Sequence, residues 1–137
     1  MTDTTRHYTL GRGARIKSRK AVAALFAGGC STSVTCRPLR AVYMQRPHAD
    51  GREAVDMLVS VSKRKFKHAV DRNRIKRLVR EAFRLNRHTL ADRIDGRGWG
   101  VSVAFVWLSP YLPDYAAVES RVREALAKIG DTLCSDD

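Results

Sequence analysis

The side chains with the clearest chemical potential are the cations between positions 63 and 87. Eleven residues of this segment are Lys or Arg, and only Asp71 and Glu81 carry the opposite charge. Guanidinium groups bind phosphate oxygens through paired hydrogen bonds, and ammonium groups act there as point charges. A segment of this charge density is typical of a surface that contacts a polyphosphate. The cations are Lys63, Arg64, Lys65, Lys67, Arg72, Arg74, Lys76, Arg77, Arg80, Arg84 and Arg87.

Apolar residues of the same segment recur at the spacing of an α-helix. At about 100° per residue, four of them fall on one side of a helix and a mainly cationic set falls on the other. Like charges stacked along one face repel each other, so a free-standing helix gains nothing from them. We therefore favour contact with a nucleic acid over a plainly solvated face. The apolar side holds Ile75, Leu78, Val79 and Ala82, and the polar side holds Asn73, Lys76, Arg77, Arg80, Arg84 and Arg87.

Catalysis by the protein itself has little support in the sequence. A protein nuclease needs clustered carboxylates for a metal ion or a positioned general base. The acidic residues are mostly dispersed, and Asp71 and Glu81 are better interpreted as intrahelical partners of nearby cations. The histidines are scattered without ligand spacing. We therefore expect no catalytic residue and no metal site in the protein.

The bulk composition indicates one basic domain. A chain of 137 residues that is 44% hydrophobic can bury one modest core, and its net charge of +12 points to RNA, DNA or an anionic membrane surface. It contains no apolar run long enough to span a membrane, residues 1–15 lack the apolar core of a secretory signal, and the three cysteines lack CxxC spacing. We expect a cytoplasmic protein with a flexible N-terminus at 1–9, a single domain at 10–130 and a tail at 131–137.

A short helix is predicted ahead of the basic segment. Ser18 is a plausible N-cap, and the helix ends at Phe26 or the residue after it, before Gly28. Val22, Leu25 and Phe26 share one face of this helix at i, i+3 and i+4 spacing. Phe26 is therefore a candidate for simple core packing.

Alternating residues predict the strands. The segments 39–44 and 54–62 have the period of two that is typical of strands, and the residues between them predict a loop. Residues 100–108 predict a buried strand, whereas residues 30–35 are either a connector or the start of another strand. The basic helix follows the strand at 54–62 after a hinge at 63–68.

The last predicted helix begins near Pro113-Asp114 and ends at Gly130. Residues 95–98 are typical of a turn. For the rest of 86–99 the sequence permits either an extension of the basic helix or a loop. The order α-β-β(-β)-α-β-α predicts an α/β two-layer sandwich with a mainly antiparallel sheet. The inward side of the last helix holds Val118, Val122, Ala125, Leu126 and Ile129.

The segment DRNRIKRLVREAFR, residues 71–84, resembles the signature of the bacterial ribonuclease P protein component. The family pattern is an Arg-Asn-Arg triplet, then Lys-Arg, then a further Arg on the same helix. The preceding LVSVSKRK also resembles the family's Ser-Val-Ser-Lys-Lys run. The similarity extends over roughly residues 10–130. The matching helix positions are Arg72, Asn73, Arg74, Lys76, Arg77 and Arg80.

The resemblance implies a protein subunit of a ribonucleoprotein endonuclease. In that family the catalyst is an RNA, and the protein helps it to bind precursor tRNA and to recruit Mg²⁺ for 5′ maturation. We expect one protein per catalytic RNA, with Mg²⁺ held mainly by the RNA. The implied RNA-binding residues are Lys63, Arg64, Arg72, Asn73, Arg74, Lys76, Arg77, Arg80 and Arg84.

The resemblance also implies a second site, a cleft between the first helix and the sheet that binds the single-stranded 5′ leader of precursor tRNA. Phe26 matches one aromatic residue of that cleft, Tyr43 is a match for another, and Val22 stands where an aromatic residue is common. The resemblance further implies that the crossover between the strands at 54–62 and 100–108 is left-handed.

One alternative stays open at this point. A general RNA-binding or ribosomal-type protein could use the same basic helix without any role in cleavage. RNA is favoured over DNA as the partner, since a strand and not a helix precedes the basic helix, and a helix-turn-helix motif requires a helix there.

Overall fold

The computed structural model describes residues 16, 19–26, 31–47 and 53–134. Within these residues the helices and strands occur in the order that the sequence predicts. One short helix, α3, is additional, because Arg87 interrupts what would otherwise be a continuous helix. The elements are α1 (Arg19–Phe26), β1 (Thr32–Cys36), β2 (Leu39–Pro47), β3 (Val55–Val61), α2 (Ala69–Asn86), α3 (His88–Ile94), β4 (Trp99–Trp107) and α4 (Tyr115–Leu133).

The sheet has the order β1-β2-β4-β3 in the described part of the chain. β1 pairs with β2 and β2 pairs with β4 in antiparallel fashion, whereas β3 pairs with β4 in parallel. A parallel pair needs a long crossover connection, which α2 and α3 provide here. The prediction of an α/β sandwich with a mainly antiparallel sheet and one βαβ crossover is confirmed. The left-handed sense of that crossover stays a prediction.

The main core lies between one face of the sheet and the helices α2, α3 and α4. β4 sits between two partner strands and is buried along most of its length, as predicted for residues 100–108. At the centre the rings of Phe83 on α2 and Phe105 on β4 meet edge to face, with centroids 6.0 Å apart. The five residues that were predicted to face inward from the last helix are all buried, which confirms the face of α4: Val118, Val122, Ala125, Leu126 and Ile129.

The opposite face of the sheet carries α1 and a smaller apolar cluster. Leu25 of α1 is fully buried there against Val42 and Ala104. Ile16 joins the same cluster, and its backbone N–H donates to the carbonyl oxygen of Met57 at 3.0 Å. The two faces of the sheet are thus chemically distinct, and the alternation of residues along each strand decides which side chains belong to which face.

Two element boundaries differ from the prediction in the first half of the chain. β1 occupies 32–36, so the segment that was open between connector and strand contains a strand. β2 continues to Pro47 instead of ending at Met44, because residues 45–47 pair with residues 99–101 of β4. The first helix is described up to Phe26, one of the two predicted end positions, whereas the predicted N-cap at Ser18 and the glycine at 28 lie outside the described residues.

The predicted end of the last helix at Gly130 is wrong. Gly130 lies inside α4 and is buried, and a Cβ at this position would stand 2.6 Å from a guanidinium nitrogen of Arg93 on α3. The glycine lies beneath the Arg93 side chain, which reaches Asp131 of α4, and it does not end the helix. Residues 131–133 are helical and continue the folded unit. The predicted start is confirmed, since the Asp114 side chain accepts a hydrogen bond from the N–H of Ala117 at 2.9 Å.

Candidate nucleic-acid interface

The hinge between β3 and α2, residues 62–68, is a turn with fixed geometry. The N–H of Phe66 donates to the carbonyl oxygen of Ser62 at 3.1 Å, and the N–H of Arg64 donates to the Ser62 hydroxyl at 3.1 Å. The Phe66 side chain is buried in the main core and anchors the turn. Lys63 and Arg64 are exposed on this anchored backbone, as the predicted RNA-binding role requires.

The side chain of Arg72 on α2 forms hydrogen bonds with the backbone of the hinge. One of its terminal nitrogens donates to the carbonyl oxygen of Phe66 at 2.7 Å and to that of Lys67 at 3.0 Å. The helix α2 begins at Ala69, three residues before the Arg-Asn-Arg triplet, and the backbone N–H of Arg72 donates to the carbonyl oxygen of His68 at 3.3 Å. The triplet therefore presents side chains to a partner, and its backbone N–H groups are used within the helix.

The exposed side of α2 carries Asn73, Arg74 and Arg77, and all three side chains are solvent-exposed. Among the described residues, no acidic side chain forms an ion pair with either of the two arginines. Lys76 and Arg80 are half-buried along the edge of this surface. The opposite side of the helix packs in the core as predicted: Ile75, Val79 and Ala82 are buried and Leu78 is partly buried against them.

The cations farther along α2 have acidic partners. Arg84 forms a two-pronged pair with Glu81, with Nε–Oε1 and Nη2–Oε2 distances of 3.0 Å and 2.6 Å. These hydrogen bonds from Arg84 hold the pKa of Glu81 below its ordinary value. The interpretation of Glu81 as an intrahelical partner is confirmed. Arg84 is thus a predicted RNA-binding residue whose charge is largely balanced inside the protein.

Arg87 does not lie on the basic surface, and its prediction as part of that surface is wrong. Its side chain is buried, with a guanidinium nitrogen 3.7 Å from a carboxylate oxygen of Glu53. The helix ends at Asn86, whose side-chain amide donates to the carbonyl of Ala82 and to Glu119 of α4. Arg87 keeps helical backbone angles, and its N–H donates to the carbonyl oxygen of Phe83 at 2.8 Å, so its burial beside Glu53 comes from tertiary packing and not from a change of backbone direction.

The predicted leader cleft is only partly assembled. Phe26 at the end of α1 is 50% exposed, whereas its neighbour Leu25 is fully buried. Val22 packs partly against the same cluster as Leu25. The interpretation of Phe26 as core is therefore wrong, and its ring is available to a ligand on the α1 face of the sheet.

Tyr43 does not belong to that cleft, and its prediction there is wrong. It is 4% exposed and packs in the main core, on the sheet face that α2 and α4 cover. Its neighbours along β2, Val42 and Met44, point to the α1 face. The pairing of β2 with its neighbouring strands therefore places the Tyr43 ring on the sheet face opposite to Phe26.

The loop after β4, residues 108–113, contains a feature that the sequence patterns did not single out. Tyr111 is 77% exposed and Leu112 is 46% exposed, next to the basic hinge. The Lys65 ammonium group donates to the carbonyl oxygen of Leu108 and joins hinge and loop. A lone aromatic residue between two prolines has no periodicity, so no pattern could have marked it.

Two further observations concern the described residues alone. No group of three or more His, Cys, Asp or Glu side chains in them is arranged to hold a metal ion. None of their helices is both long enough and apolar enough to cross a membrane.

Fold and surface together define a small basic α/β protein that presents one cationic helix. Residues 10–130 match the sequence profile of the family described as Ribonuclease P. The chain is 40% identical over 129 residues to the ribonuclease P protein component of Porphyromonas gingivalis, which covers 93% of this chain and 91% of the relative. It therefore belongs to the ribonuclease P protein component family.

Solved structures share the fold. The RNase P protein of Staphylococcus aureus superposes with a TM-score of 0.63 at 19% identity, over 85% of this chain and 94% of that chain. The RNase P protein of Thermotoga maritima gives a TM-score of 0.59 at 19% identity, over 84% and 93% of the two chains. At this identity the likeness concerns the fold, and the sequence relatives carry the family assignment.

Proposed function

We propose that this protein is the non-catalytic subunit of ribonuclease P and that it binds the catalytic RNA through α2 and the hinge. The observation that carries the proposal is the exposure of Arg74 and Arg77 on a helix whose other side packs in the core. An exposed guanidinium without an acidic partner keeps its charge and its paired donors for a phosphate. Family membership supports a role in tRNA processing, and the proposal adds the side chains that meet RNA.

The second part of the proposal concerns the substrate. Phe26 and Val22, on the α1 face of the sheet, bind the single-stranded 5′ leader of precursor tRNA. A half-exposed aromatic ring suits an unpaired base, because stacking requires an open ring face. Tyr43 has no part in this contact, since its ring is buried on the other face of the sheet.

The RNA carries the chemistry and holds Mg²⁺ in this proposal. Mg²⁺ needs several oxygen ligands, and the described part of the chain offers no cluster of carboxylates for it. We assign no step of the cleavage to a protein side chain. The complex of one protein with one catalytic RNA works in the cytoplasm and has no membrane partner.

A cleavage assay on precursor tRNA tests the proposal. At low Mg²⁺ concentration, a bacterial ribonuclease P RNA together with the protein should cleave faster than the RNA alone, and the protein alone should not cleave. Cleavage by the protein alone would mean that it is a nuclease. If the protein binds RNA but does not stimulate cleavage, the alternative of a general RNA-binding protein is correct.

The leader contact has its own test. Replacing Phe26 with Ala should weaken binding of leader-bearing precursor tRNA by roughly fivefold to 100-fold, the range for one stacked base. Binding of mature tRNA should not change, and neither should the salt dependence, since stacking releases no counterions. An equal loss for both substrates would contradict the leader assignment.

A further inference from the structure

A groove of about 440 Å³ lies beside the N-terminal end of α2, between the hinge and the loop 108–113. This volume falls within the roughly 300–1,000 Å³ that is typical of sites for small ligands. The hinge forms one wall and the loop forms the other, and the ammonium group of Lys65 joins the two. The walls are Arg64, Lys65 and Lys67 on one side and Pro110, Tyr111 and Leu112 on the other.

The backbone holds Tyr111 in place while its ring stays in solvent. The Tyr111 N–H donates to the Ser109 hydroxyl at 3.1 Å, and its carbonyl oxygen accepts from the Trp107 indole at 3.4 Å. The indole belongs to a buried residue of β4, so the loop is tied to the core. A ring that is 77% exposed on a fixed backbone loses little freedom when it meets a flat partner.

Positive charge exceeds negative charge in the lining of the groove. Three cations line it, and Asp71 is the acidic residue in the described lining, with His68 beside it. Lys65 is engaged with the loop carbonyl, which leaves Arg64 and Lys67, both exposed, directed at solvent. Cations next to an open aromatic ring suit a ligand that has a phosphate and a flat ring in one unit.

We propose that this groove binds an unpaired nucleotide of RNA, whose base stacks on Tyr111 and whose phosphate contacts Arg64 and Lys67. This inference rests on the proposed function, since it takes RNA as the partner, and it adds a second contact region to the exposed side of α2. Inside a duplex the neighbouring pairs cover both faces of each base, so only a helix end offers a face to the ring and the site favours unpaired nucleotides. RNA is favoured over an acidic peptide as the ligand because the groove lies beside the N-terminal end of α2, the helix that is proposed to bind RNA.

The test compares two RNA probes on the full chain. One is a labelled single-stranded oligouridylate of about ten nucleotides, a length within the range that one small domain covers, and the other is a duplex of about ten base pairs. The variants are Tyr111→Ala, Tyr111→Phe and Arg74→Ala. Thermal melting of each variant checks the fold, which we expect to be unchanged because these side chains are exposed.

Tyr111→Ala should weaken binding of the single strand by roughly fivefold to 100-fold and leave the duplex and the salt slope unchanged. Tyr111→Phe keeps the ring, so it should bind like the original chain. Arg74→Ala should weaken both probes. Photo-crosslinking of the unmodified chain to an oligonucleotide with 4-thiouridine should label a peptide that contains residues 108–113, which separates this site from Phe26.

The outcomes distinguish the two proposals. If Arg74→Ala weakens both probes but Tyr111→Ala weakens neither, the groove does not bind a nucleotide while the RNA-binding surface on α2 stands. If Tyr111→Ala weakens the duplex as much as the single strand, stacking is not the contact and the inference is wrong. If Arg74→Ala changes neither probe, the proposed function itself fails at α2.

Discussion

The two halves of α2 carry the same kind of side chain and use it differently. In the N-terminal half, Arg74 and Arg77 are exposed and form no ion pair with a described acid. In the C-terminal half, Arg84 is paired with Glu81, and Arg87 just beyond the helix is buried beside Glu53. A count of cations treats these four residues alike. Their surroundings show that the first two can serve a partner, whereas the last two serve the fold.

The difference follows from where the acidic residues lie. Arg84 meets Glu81, which is three residues earlier on the same helix, and Arg87 meets Glu53 from the segment before β3. The N-terminal half follows directly from the hinge, where Arg72 binds two backbone carbonyls and no carboxylate. Both the position of an acid along the helix and the packing of other elements therefore decide whether an arginine remains available for RNA.

The largest expected effect comes from the N-terminal half. Replacing both Arg74 and Arg77 with Ala should weaken binding to the catalytic RNA by about 100-fold, at roughly tenfold for each lost charge-assisted contact. The melting temperature should not change, because both side chains are exposed. Titration with labelled RNA measures the affinity. Arg123→Ala, an exposed arginine on α4, is the matched control and should bind RNA normally.

Arg87→Ala should show the opposite pattern. Truncation removes a buried side chain and leaves Glu53 without this partner, so we expect a loss of about 1–3 kcal/mol in the free energy of unfolding. Urea denaturation measures this loss, and RNA affinity at a temperature where the variant is folded should stay the same. Weaker RNA binding at unchanged stability would place Arg87 with Arg74 and remove the distinction between the two halves.

Local patterns predicted much of this fold for a physical reason. The buried side of α2 follows from a period of 3.6 residues, and the burial of β4 follows from a continuous apolar run, so neither depends on distant residues. Lys63 and Arg64 of the hinge are exposed, because an anchored turn leaves long polar side chains in solvent, and their contact with RNA stays a prediction.

The errors concern properties that depend on tertiary contacts. Tyr43 lies in a correctly predicted strand, but only the packing of α1 and α2 on opposite faces of the sheet decides which side its ring takes. Gly130 has the residue type of a helix end, yet it lies inside α4 and beneath the side chain of Arg93 from α3. Tyr111 is exposed because of its place in the fold, and its neighbours in sequence give no sign of the basic hinge beside it.

The salt dependence of RNA binding distinguishes the two halves of α2 by a smaller effect. The slope of log affinity against log salt reports the number of phosphates that the protein neutralises. Arg77→Ala should make this slope shallower by about 0.7–0.9, as expected for one lost phosphate contact. Arg84→Ala should leave the slope nearly unchanged, because Glu81 already balances that charge. Equal changes in the two variants would mean that the Arg84 pair opens when RNA binds.

The smallest effect should come from Glu81→Gln, which removes a charge from the protein without touching an arginine. The pKa of Glu81 is lowered by its hydrogen bonds with Arg84, so the pair contributes stability above the ordinary carboxyl value of 4.5 and loses it as the pH falls through the lower folded-state value. At neutral pH the carboxylate is therefore fully charged and competes with phosphate for Arg84.

Removing that competitor should strengthen RNA binding a few-fold and make the salt slope steeper by up to about 0.9, in the direction opposite to Arg77→Ala. Binding measured near neutral pH across a salt series checks both signs, and Glu124→Gln on α4, where the carboxylate pairs with Arg121 and Lys128, is the matched control. If Glu81→Gln leaves the slope unchanged, Arg84 is kept from RNA by its position and not by its acidic partner. The contrast between the two halves of α2 would then depend on geometry alone.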